Sequence, residues 1–402
     1  MQDIFIFDAI RTPRAKGDVQ GSLYEVKPVD LFTVLLKAIL SRNAISSSIV
    51  DDLIVGCVTP VGEQGGNIAK AALQNCDWDY RTGGTQINRF CSSGLDAVCI
   101  SASKIASNWE NVNLAGGIEC MSRIVAGIDG GALLYDPSII SNSGYMPQGV
   151  AADLIATLYN FNQTMLNDYA HKSHLKAIEA TKKKTFENSI IPITNTIGLS
   201  ILNEDELINH DIDVEALNDL EPQWKSIGEM GFDDIAIRKY PSISKISHLH
   251  TKGNAAPCAD GAALLLLGNE FSINQFHLAP KARIIAFATI STEPTLCFDG
   301  ATAAALKVLN IAKLNPSQID LWEVNEPFAA VALKFIQDLK IDSAKVNING
   351  GAIAYGHPLG ATGAILVGSM IDALRNEHLK TGLIAVAAPG GMGTAMIIEL
   401  LK

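Results

Sequence analysis

The 402-residue sequence has no excess of basic residues and no long apolar run. Lys and Arg number 31 against 42 Asp and Glu, which gives a formal net charge of −11. This balance does not favour general binding to nucleic acid or to an anionic membrane surface. The longest apolar stretch, residues 262–267, is far shorter than the roughly 18 residues that cross a bilayer. We therefore expect no nucleic-acid partner and no membrane span.

Cysteine pairs and targeting signals are also missing. The seven cysteines form no C-x-x-C pair, so neither a disulfide framework nor a structural zinc site is indicated. Residues 1–17 contain no basic leader ahead of an apolar block and no small-residue cleavage site, so they predict a first strand and a cytoplasmic protein. The composition, 48% hydrophobic and 18% charged, is typical of a globular chain, and the length predicts two or three domains.

The chain contains an internal repeat. Three blocks near the N-terminus recur near the C-terminus with a spacing of about 270 residues. The paired blocks begin at Val50 and Gln318, at Thr85 and Val346, and at Leu114 and Val386, and the second pair aligns Gly94 with Gly363. This pattern predicts a duplicated unit.

Within each unit, short Val/Ile-rich runs alternate with longer helical patterns, which predicts strands covered by helices on both faces. Residues 29–43 have the apolar spacing of an amphipathic helix. Residues 92–107 and 361–374 have little polar surface and predict helices buried between layers. Residues from 125 to about 257 carry most of the His and Lys residues and predict an inserted domain.

Two residues are candidates for nucleophilic chemistry. Cys91 precedes a predicted helix, whose dipole would lower the thiol pKa, although an isolated cysteine is often only a small core residue. His357 lies among glycines before the matching helix of the second unit. Pseudo-symmetry would bring the two side chains together as an activated nucleophile, whereas the alternative is a turn histidine.

Polar and glycine-rich segments supply further candidates. Asn325 and Glu326 end a predicted strand, where they would orient water or substrate or serve as a helix cap. Residues 388–394 form a glycine turn whose N–H groups would face an oxyanion. There is no strand-GxGxxG-helix pattern and no Walker lysine to indicate a nucleotide site.

Several motifs along the whole duplicated chain together resemble those of the thiolase family, acyl-CoA acyltransferases that make or cleave 3-ketoacyl-CoA. They are NRFCSSGLDAV, GGIECMS, PQGVAADLIATL, GNAAPCADGAA, NEPFAA and NINGGAIAYGHPLGATGA. The resemblance implies an α/β thiolase fold, with two βαβαβαββ halves packed into five αβαβα layers. The halves would be residues 1–125 plus 257–279 and residues 280–402, and residues 126–256 would form an inserted loop domain that binds coenzyme A.

The resemblance also implies roles for individual residues. Cys91 would carry the acyl group as a thioester, His357 would take the thiol proton, and Asn325 would position a water in the oxyanion hole. Coenzyme A would be a substrate, and no metal ion or prosthetic group is implied. The family is commonly a homotetramer of tight dimers. The side chains or backbone expected to contact the substrate are those of Ala256, Cys297, Phe328 and Gly391.

The last family motif is altered in this chain. It usually reads C-x-G-G-G-x-G or C-x-x-G-G-x-G, and its cysteine moves a proton on the reacting carbon. Here Ala387 replaces that cysteine, and Pro389, which has no N–H, replaces a glycine. Pro327 and Ala256 also replace an Ala and a Ser that are common in the family. Cys297, where a Met is usual, would either compensate or simply line the pocket.

Three functions follow from this combination. The first is an active thiolase, which transfers acetyl groups between acyl-CoA molecules or cleaves 3-ketoacyl-CoA with a modified second half-reaction. The second is an enzyme that is acylated at Cys91 but performs only hydrolysis or another acyl transfer. The third is a non-catalytic protein that binds acyl-CoA or takes part in an assembly.

The effect of the altered motif can be tested by restoring the residues that are usual in the family. If no other group moves the proton, carbon–carbon turnover is weak, because a positioned acid or base contributes about 10² to 10⁴ in rate and an oxyanion donor about 10² to 10³. Ala387→Cys combined with Pro389→Gly should then accelerate acetoacetyl-CoA thiolysis more than either change alone, without changing acylation of Cys91. A wild-type rate typical of the family, or no gain in the double variant, would show that another acid is present or that the motif is misaligned.

Overall fold

The first half of the computed structural model, which describes residues 2–401, is a sheet with helices on both faces. Its elements are β1 (Ile4–Arg11), β2 (Ala15–Lys16), α1 (Pro28–Asn43), β3 (Asp52–Gly56), α2 (Ile68–Gln74), β4 (Thr85–Ile87), α3 (Ser93–Ala106) and β5 (Val112–Cys120).

A mainly helical segment follows β5. It contains α4 (Ala132–Tyr135), α5 (Pro137–Ser143), α6 (Gln148–Leu158), α7 (Gln163–Lys182), β6 (Ile193–Thr194), β7 (Ser200–Leu202), α8 (Val214–Asn218), α9 (Lys225–Ile227), a π-helical turn (Gly228–Phe232) and α10 (Asp233–Lys239). The chain then returns to the first sheet through β8 (Ala259–Gly268) and α11 (Glu270–Phe276). We call residues 121–258, between β5 and β8, the insertion; the predicted domain bounds themselves stay predictions.

The second half repeats the first. Its elements are β9 (Ala282–Ser291), α12 (Gly300–Ala312), β10 (Leu321–Val324), α13 (Ala329–Leu339), α14 (Ala352–Tyr355), α15 (Leu359–Asn376), β11 (Thr381–Ala388) and β12 (Met392–Leu400). Single 3₁₀ turns lie at Ser47–Ile49, Gly62–Gln64, Pro316–Gln318 and Ser343–Lys345.

The strand order confirms the duplication. The first half runs β4-β3-β5-β8-β1, and the second half follows the same order through β10-β11-β12-β9. At the place that β4 occupies in the first half, the described part of the second half has one parallel bridge, between Trp322 and Val346. Strands β1 and β9 pair over three residues, so the two sheets are continuous at the junction of the halves.

The packing confirms the five predicted layers. Helices α1 and α2 cover the outer face of the first sheet, and α12 and α13 cover the outer face of the second. Helices α3 and α15 share one core with the inner faces of both sheets. The three helices predicted from the sequence therefore occur as α1, α3 and α15, with bounds that shift by one or two residues.

Glycines allow the two central helices to cross in contact. A Cβ added at Gly94 would lie 2.6 Å from the Gly360 carbonyl oxygen, and one added at Gly363 would lie 2.3 Å from the Leu95 nitrogen. Real Cβ atoms do not approach backbone this closely, so a larger residue at either position would push the helices apart. Gly94 and Gly363 are the pair that the repeat aligned.

Buried ion pairs attach the insertion to the first half and also cross-link the insertion internally. Arg11 forms a bidentate pair with Asp205 at 2.7 Å, and the Arg14 backbone N–H donates to the same carboxylate at 2.8 Å. Further along the insertion, His248 lies between Asp153, at 2.9 Å, and Asp233, at 3.0 Å.

None of the helices described for residues 2–401 combines the length and the apolar character that a membrane span requires.

The paired His248 makes stability depend on pH. Its hydrogen bond to Asp153, followed by that to Asp233, raises the His248 pKa from 6.5 to about 9 against the opposing effect of burial. Because the folded-state pKa is raised, the stabilisation is fully present below pH 6.5 and is lost as pH rises through about 9. Urea unfolding at several pH values should show this slope, and His248→Gln should flatten it. His210→Gln, at an exposed histidine, is the control and should leave the slope unchanged.

Candidate active site

Cys91 lies in the short connection between β4 and α3, two residues before the first helical residue. Phe90 has a left-handed φ of +47°, which turns the chain sharply into the helix. The neighbouring Ser92 fixes this turn because its hydroxyl donates to the Val386 carbonyl of β11 at 3.0 Å. The prediction that Cys91 stands at a helix N-terminus is therefore confirmed.

The electrostatic state of Cys91 differs from the prediction. The Cys91 residue is only 2% exposed, and this burial, with smaller contributions from Cys297 and Glu119, raises the thiol pKa to about 12. Loss of hydration of the thiolate outweighs the Cys91 N–H, which acts in the opposite direction. The prediction of a lowered resting pKa is therefore wrong, and Cys91 is a neutral thiol until a base takes its proton.

His357 is held in one orientation as a neutral base. Its ring Nδ1 lies 2.6 Å from the Thr362 hydroxyl, which itself donates to the Pro358 carbonyl at 3.1 Å. Because the single hydroxyl proton is used there, Nδ1–H is the donor and Nε2 carries the lone pair. Burial, with a smaller contribution from the Arg14 guanidinium, lowers the His357 pKa to about 3.

The helix crossing brings the Cys91 and His357 loops together. Cys91 and His357 each lie three residues before the glycine, Gly94 or Gly360, at which α3 meets α15. Glu119 contacts the same region, since it accepts the Gly360 N–H at 2.9 Å and raises the Cys91 pKa. The two side chains thus occupy related positions beside one pseudo-symmetric contact.

Asn325 and Glu326 have different surroundings although they are adjacent. The Asn325 amide lies 3.3 Å from His357 Nε2, and its Oδ1 is buried without a hydrogen-bond partner among residues 2–401. The Glu326 carboxylate instead faces α7 and the loop before α14. Its donors are the Tyr169 and Ser173 hydroxyls, the Asn347 amide and the Ile353 N–H. Asn325 therefore belongs to the site, and Glu326 fixes the scaffold behind it.

Sequence reasoning gave no role to Glu119 or Thr362. Glu119 is fully buried at the end of β5 and also accepts the backbone N–H groups of Val58 and Thr59. It thereby ties the first sheet to the loop that carries His357. The sequence signal that could have indicated a role for Glu119 is that it is the single carboxylate in the apolar run LAGGIEC. A charged residue is seldom buried without partners.

The residues expected to contact substrate border the same region. The Phe328 ring packs against Trp224 of the insertion at 5.2 Å, His250 at 5.4 Å and Phe298 at 5.7 Å between ring centres. The Ala256 N–H donates to the Pro327 carbonyl at 3.0 Å, so two of the altered family positions are direct neighbours. Their contacts with substrate stay predictions.

The altered last motif forms the turn between β11 and β12. Ala387 is 1% exposed and pairs with Gly393 across the hairpin. The Gly391 N–H donates to the Cys297 carbonyl at 3.0 Å. Cys297 thus lies against this turn, and a contact of Gly391 with substrate stays a prediction.

These features define an α/β protein of two duplicated halves, with a buried His357–Asn325 pair and with Cys91 beside the contact between the two central helices. Comparison with known families identifies the class: the thiolase N-terminal domain matches residues 4–232 and the thiolase C-terminal domain matches residues 278–400. The chain belongs to the thiolase family of acyltransferases.

Individual relatives match over essentially the whole chain. A 3-ketoacyl-CoA thiolase of Klebsiella pneumoniae is 33% identical over 99% of this chain and 100% of its own length. A 3-ketoacyl-CoA thiolase of Bacillus subtilis is 30% identical over the full length of both proteins. The crystal structure of the Bacillus anthracis acetyl-CoA acetyltransferase superposes with a TM-score of 0.84 at 28% identity, covering 100% of this chain and 99% of that one.

The contact between His357 and Thr362 predicts how a shape-conserving substitution of Thr362 would change the reactivity of Cys91. Thr362→Val keeps the side-chain shape but leaves the His357 Nδ1–H without an acceptor, so the reactive tautomer loses support. Alkylation of Cys91 by iodoacetamide at pH 7 should slow about 5- to 150-fold, equivalent to about 1–3 kcal/mol. Peptide mass spectrometry measures the rate, and Thr362→Ser should retain it. Equal rates in both variants would remove Thr362 from the control of His357.

Proposed function

We propose that this protein transfers acyl groups between coenzyme A thioesters through a thioester on Cys91. The observation that carries the proposal is the meeting of the Cys91 and His357 loops at the α3–α15 crossing, with His357 held as a neutral base. The names of the relatives support the same chemistry, as either acetyl transfer to acetyl-CoA or cleavage of 3-ketoacyl-CoA.

The first step is acylation of Cys91. His357 Nε2 takes the proton from the thiol, and the Cys91 sulfur attacks the carbonyl carbon of the substrate. In thiolysis the bond between C2 and C3 of the 3-ketoacyl-CoA breaks, which leaves an acyl group on Cys91 and an enolate of acetyl-CoA. Since His357 is neutral above about pH 3, it is available as a base throughout the physiological range.

Asn325 supports the oxyanion that forms in this attack. Its buried Oδ1 has free acceptor capacity, which suits a water that donates one proton to Asn325 and the other to the substrate oxygen. After proton uptake, His357 Nε2–H would donate to the same oxygen. The oxyanion would thus be stabilised by the water held on Asn325 and by His357. The side chains of these two residues lie within hydrogen-bonding distance of each other.

The insertion completes the proposed substrate site. Trp224 and His250 pack on Phe328, so the insertion contacts the wall of the site directly. We assign coenzyme A to this side of the molecule as a substrate. We also propose a homo-oligomer, because β4 is a sheet-edge strand that pairs with β3 alone and leaves its other edge unpaired.

A second candidate is an enzyme that acylates Cys91 without making or breaking carbon–carbon bonds. The observation in its favour is Ala387, because its methyl group replaces the thiol that moves the second proton in the family. Under this candidate the wild-type protein exchanges acyl groups or hydrolyses the thioester, but it does not cleave acetoacetyl-CoA.

Acylation separates both candidates from a non-catalytic binding protein. Incubation with acetyl-CoA should add one acetyl group to the peptide that contains Cys91, and Cys91→Ala should abolish the adduct. Intact-mass and peptide mass spectrometry measure the product, and Cys99→Ala, at a buried cysteine of α3, is the control that should still be acetylated at Cys91. An absent adduct, or an adduct on Cys297 alone, would contradict the proposal.

A further inference from the structure

The loop before α12 places a second cysteine beside the altered motif. Cys297 is completely buried and has a left-handed φ of +60°. Its carbonyl accepts the Gly391 N–H at 3.0 Å, and a Cβ added at Gly391 would lie 2.5 Å from the Thr292 oxygen. The loop and the glycine turn are therefore in backbone contact, which fixes the Cys297 side chain next to the segment that follows Ala387.

Cys297 packs in one buried core with Ala387 and Phe328. It also lies close enough to Cys91 to raise the pKa of that thiol. The Tyr145 side chain, which is 4% exposed, interacts electrostatically with both sulfurs. Cys91, Cys297 and Tyr145 thus form one buried group supplied by the first half, the second half and the insertion.

A separate observation points to a ligand at this place. Asn325 is 1% exposed, hydrogen-bonds to His357, and has no partner for its Oδ1 among the residues that the structure describes. A buried acceptor without a partner is destabilising, and a bound polar group would offset this cost. Val324, the residue before Asn325, packs in the same buried core as Cys297, so the unpaired acceptor and the cysteine border the same part of the molecule.

We propose that Cys297 is the catalytic residue that moves the proton on the substrate carbon, in place of the cysteine that Ala387 has replaced. This inference rests on the proposed acyl transfer through Cys91. It assigns the two steps of the reaction to two thiols on opposite halves of the molecule, with Cys91 carrying the acyl group and Cys297 carrying the proton.

The proton and electron balance of thiolysis is complete with these groups. When the C2–C3 bond breaks, its electron pair remains on C2, and the Cys297 S–H gives its proton to C2 to form acetyl-CoA. Incoming coenzyme A then returns a proton to the Cys297 thiolate and attacks the Cys91 thioester. The acyl-CoA leaves, and the Cys91 thiolate recovers its own proton from His357. Condensation is the reverse sequence.

The surroundings of Cys297 suit both of its protonation states. Burial raises its pKa to about 12, so the thiol carries its proton at neutral pH when an enolate forms. The Gly390 and Gly391 N–H groups favour the thiolate that remains after transfer. Pro389 lacks an N–H, but the next two residues of the turn supply the donors to Cys297.

The test measures proton transfer separately from acylation. In D₂O, an active Cys297 removes a proton from the methyl group of acetyl-CoA and returns a deuteron. Cys297→Ala should slow this exchange and acetoacetyl-CoA thiolysis by about 10² to 10⁴, while Cys91 acetylation stays within about threefold. Cys297→Ser, which keeps the side-chain size, should show the same selective loss because its hydroxyl is too weak an acid.

A rescue variant separates a catalytic role from a packing role. Ala387→Cys in the Cys297→Ala background should restore exchange at least about tenfold, since it returns a thiol to the family position. Cys99→Ala should leave both steps unchanged. Two results would overturn the assignment of Cys297. One is undiminished deuterium exchange in both Cys297→Ala and Cys297→Ser. The other is a selective loss of exchange that occurs in Tyr145→Phe alone.

The outcomes also distinguish this inference from the proposed function. Wild-type protein that is acetylated on Cys91 but shows neither exchange nor thiolysis refutes the role of Cys297 and leaves acyl transfer standing. Wild-type protein that is not acetylated on Cys91 refutes the proposed function itself.

Discussion

The contact between the backbones of α3 and α15 is the constraint on which the rest of the molecule depends. Gly94 and Gly363 permit this approach, and any side chain at either position would meet backbone atoms of the other helix. The crossing holds the inner faces of two sheets around one pair of helices. Because Cys91 and His357 lie three residues before Gly94 and Gly360, which touch at this crossing, the same contact that builds the core also brings the two loops together.

The site is held in a neutral resting state by burial. Removing Cys91 and His357 from water disfavours the thiolate and the imidazolium. A neutral pair is a suitable starting point for acylation, since the proton moves from sulfur to nitrogen only as the substrate is attacked. His357 Nδ1–H donates to the Thr362 hydroxyl, which leaves Nε2, beside the Asn325 amide, as the ring nitrogen that accepts it.

Backbone contacts fix the turn between β11 and β12. The hairpin pairs Ala387 with Gly393, and the glycine turn contacts the loop before α12. The Ala256 N–H likewise bonds to the Pro327 carbonyl. These contacts involve only backbone atoms, so they do not depend on side-chain chemistry at these positions.

The sequence by itself determined the duplication, three of the helices and the positions of Cys91 and His357 at two helix starts. These features are local or periodic, so apolar spacing and repeated glycines were sufficient to predict them. Tertiary structure alone decided the raised pKa of Cys91, the separation of Asn325 from Glu326, and the position of Cys297 against the glycine turn. Each of these depends on burial or on contacts between residues far apart in the chain, and neither property is encoded in local spacing.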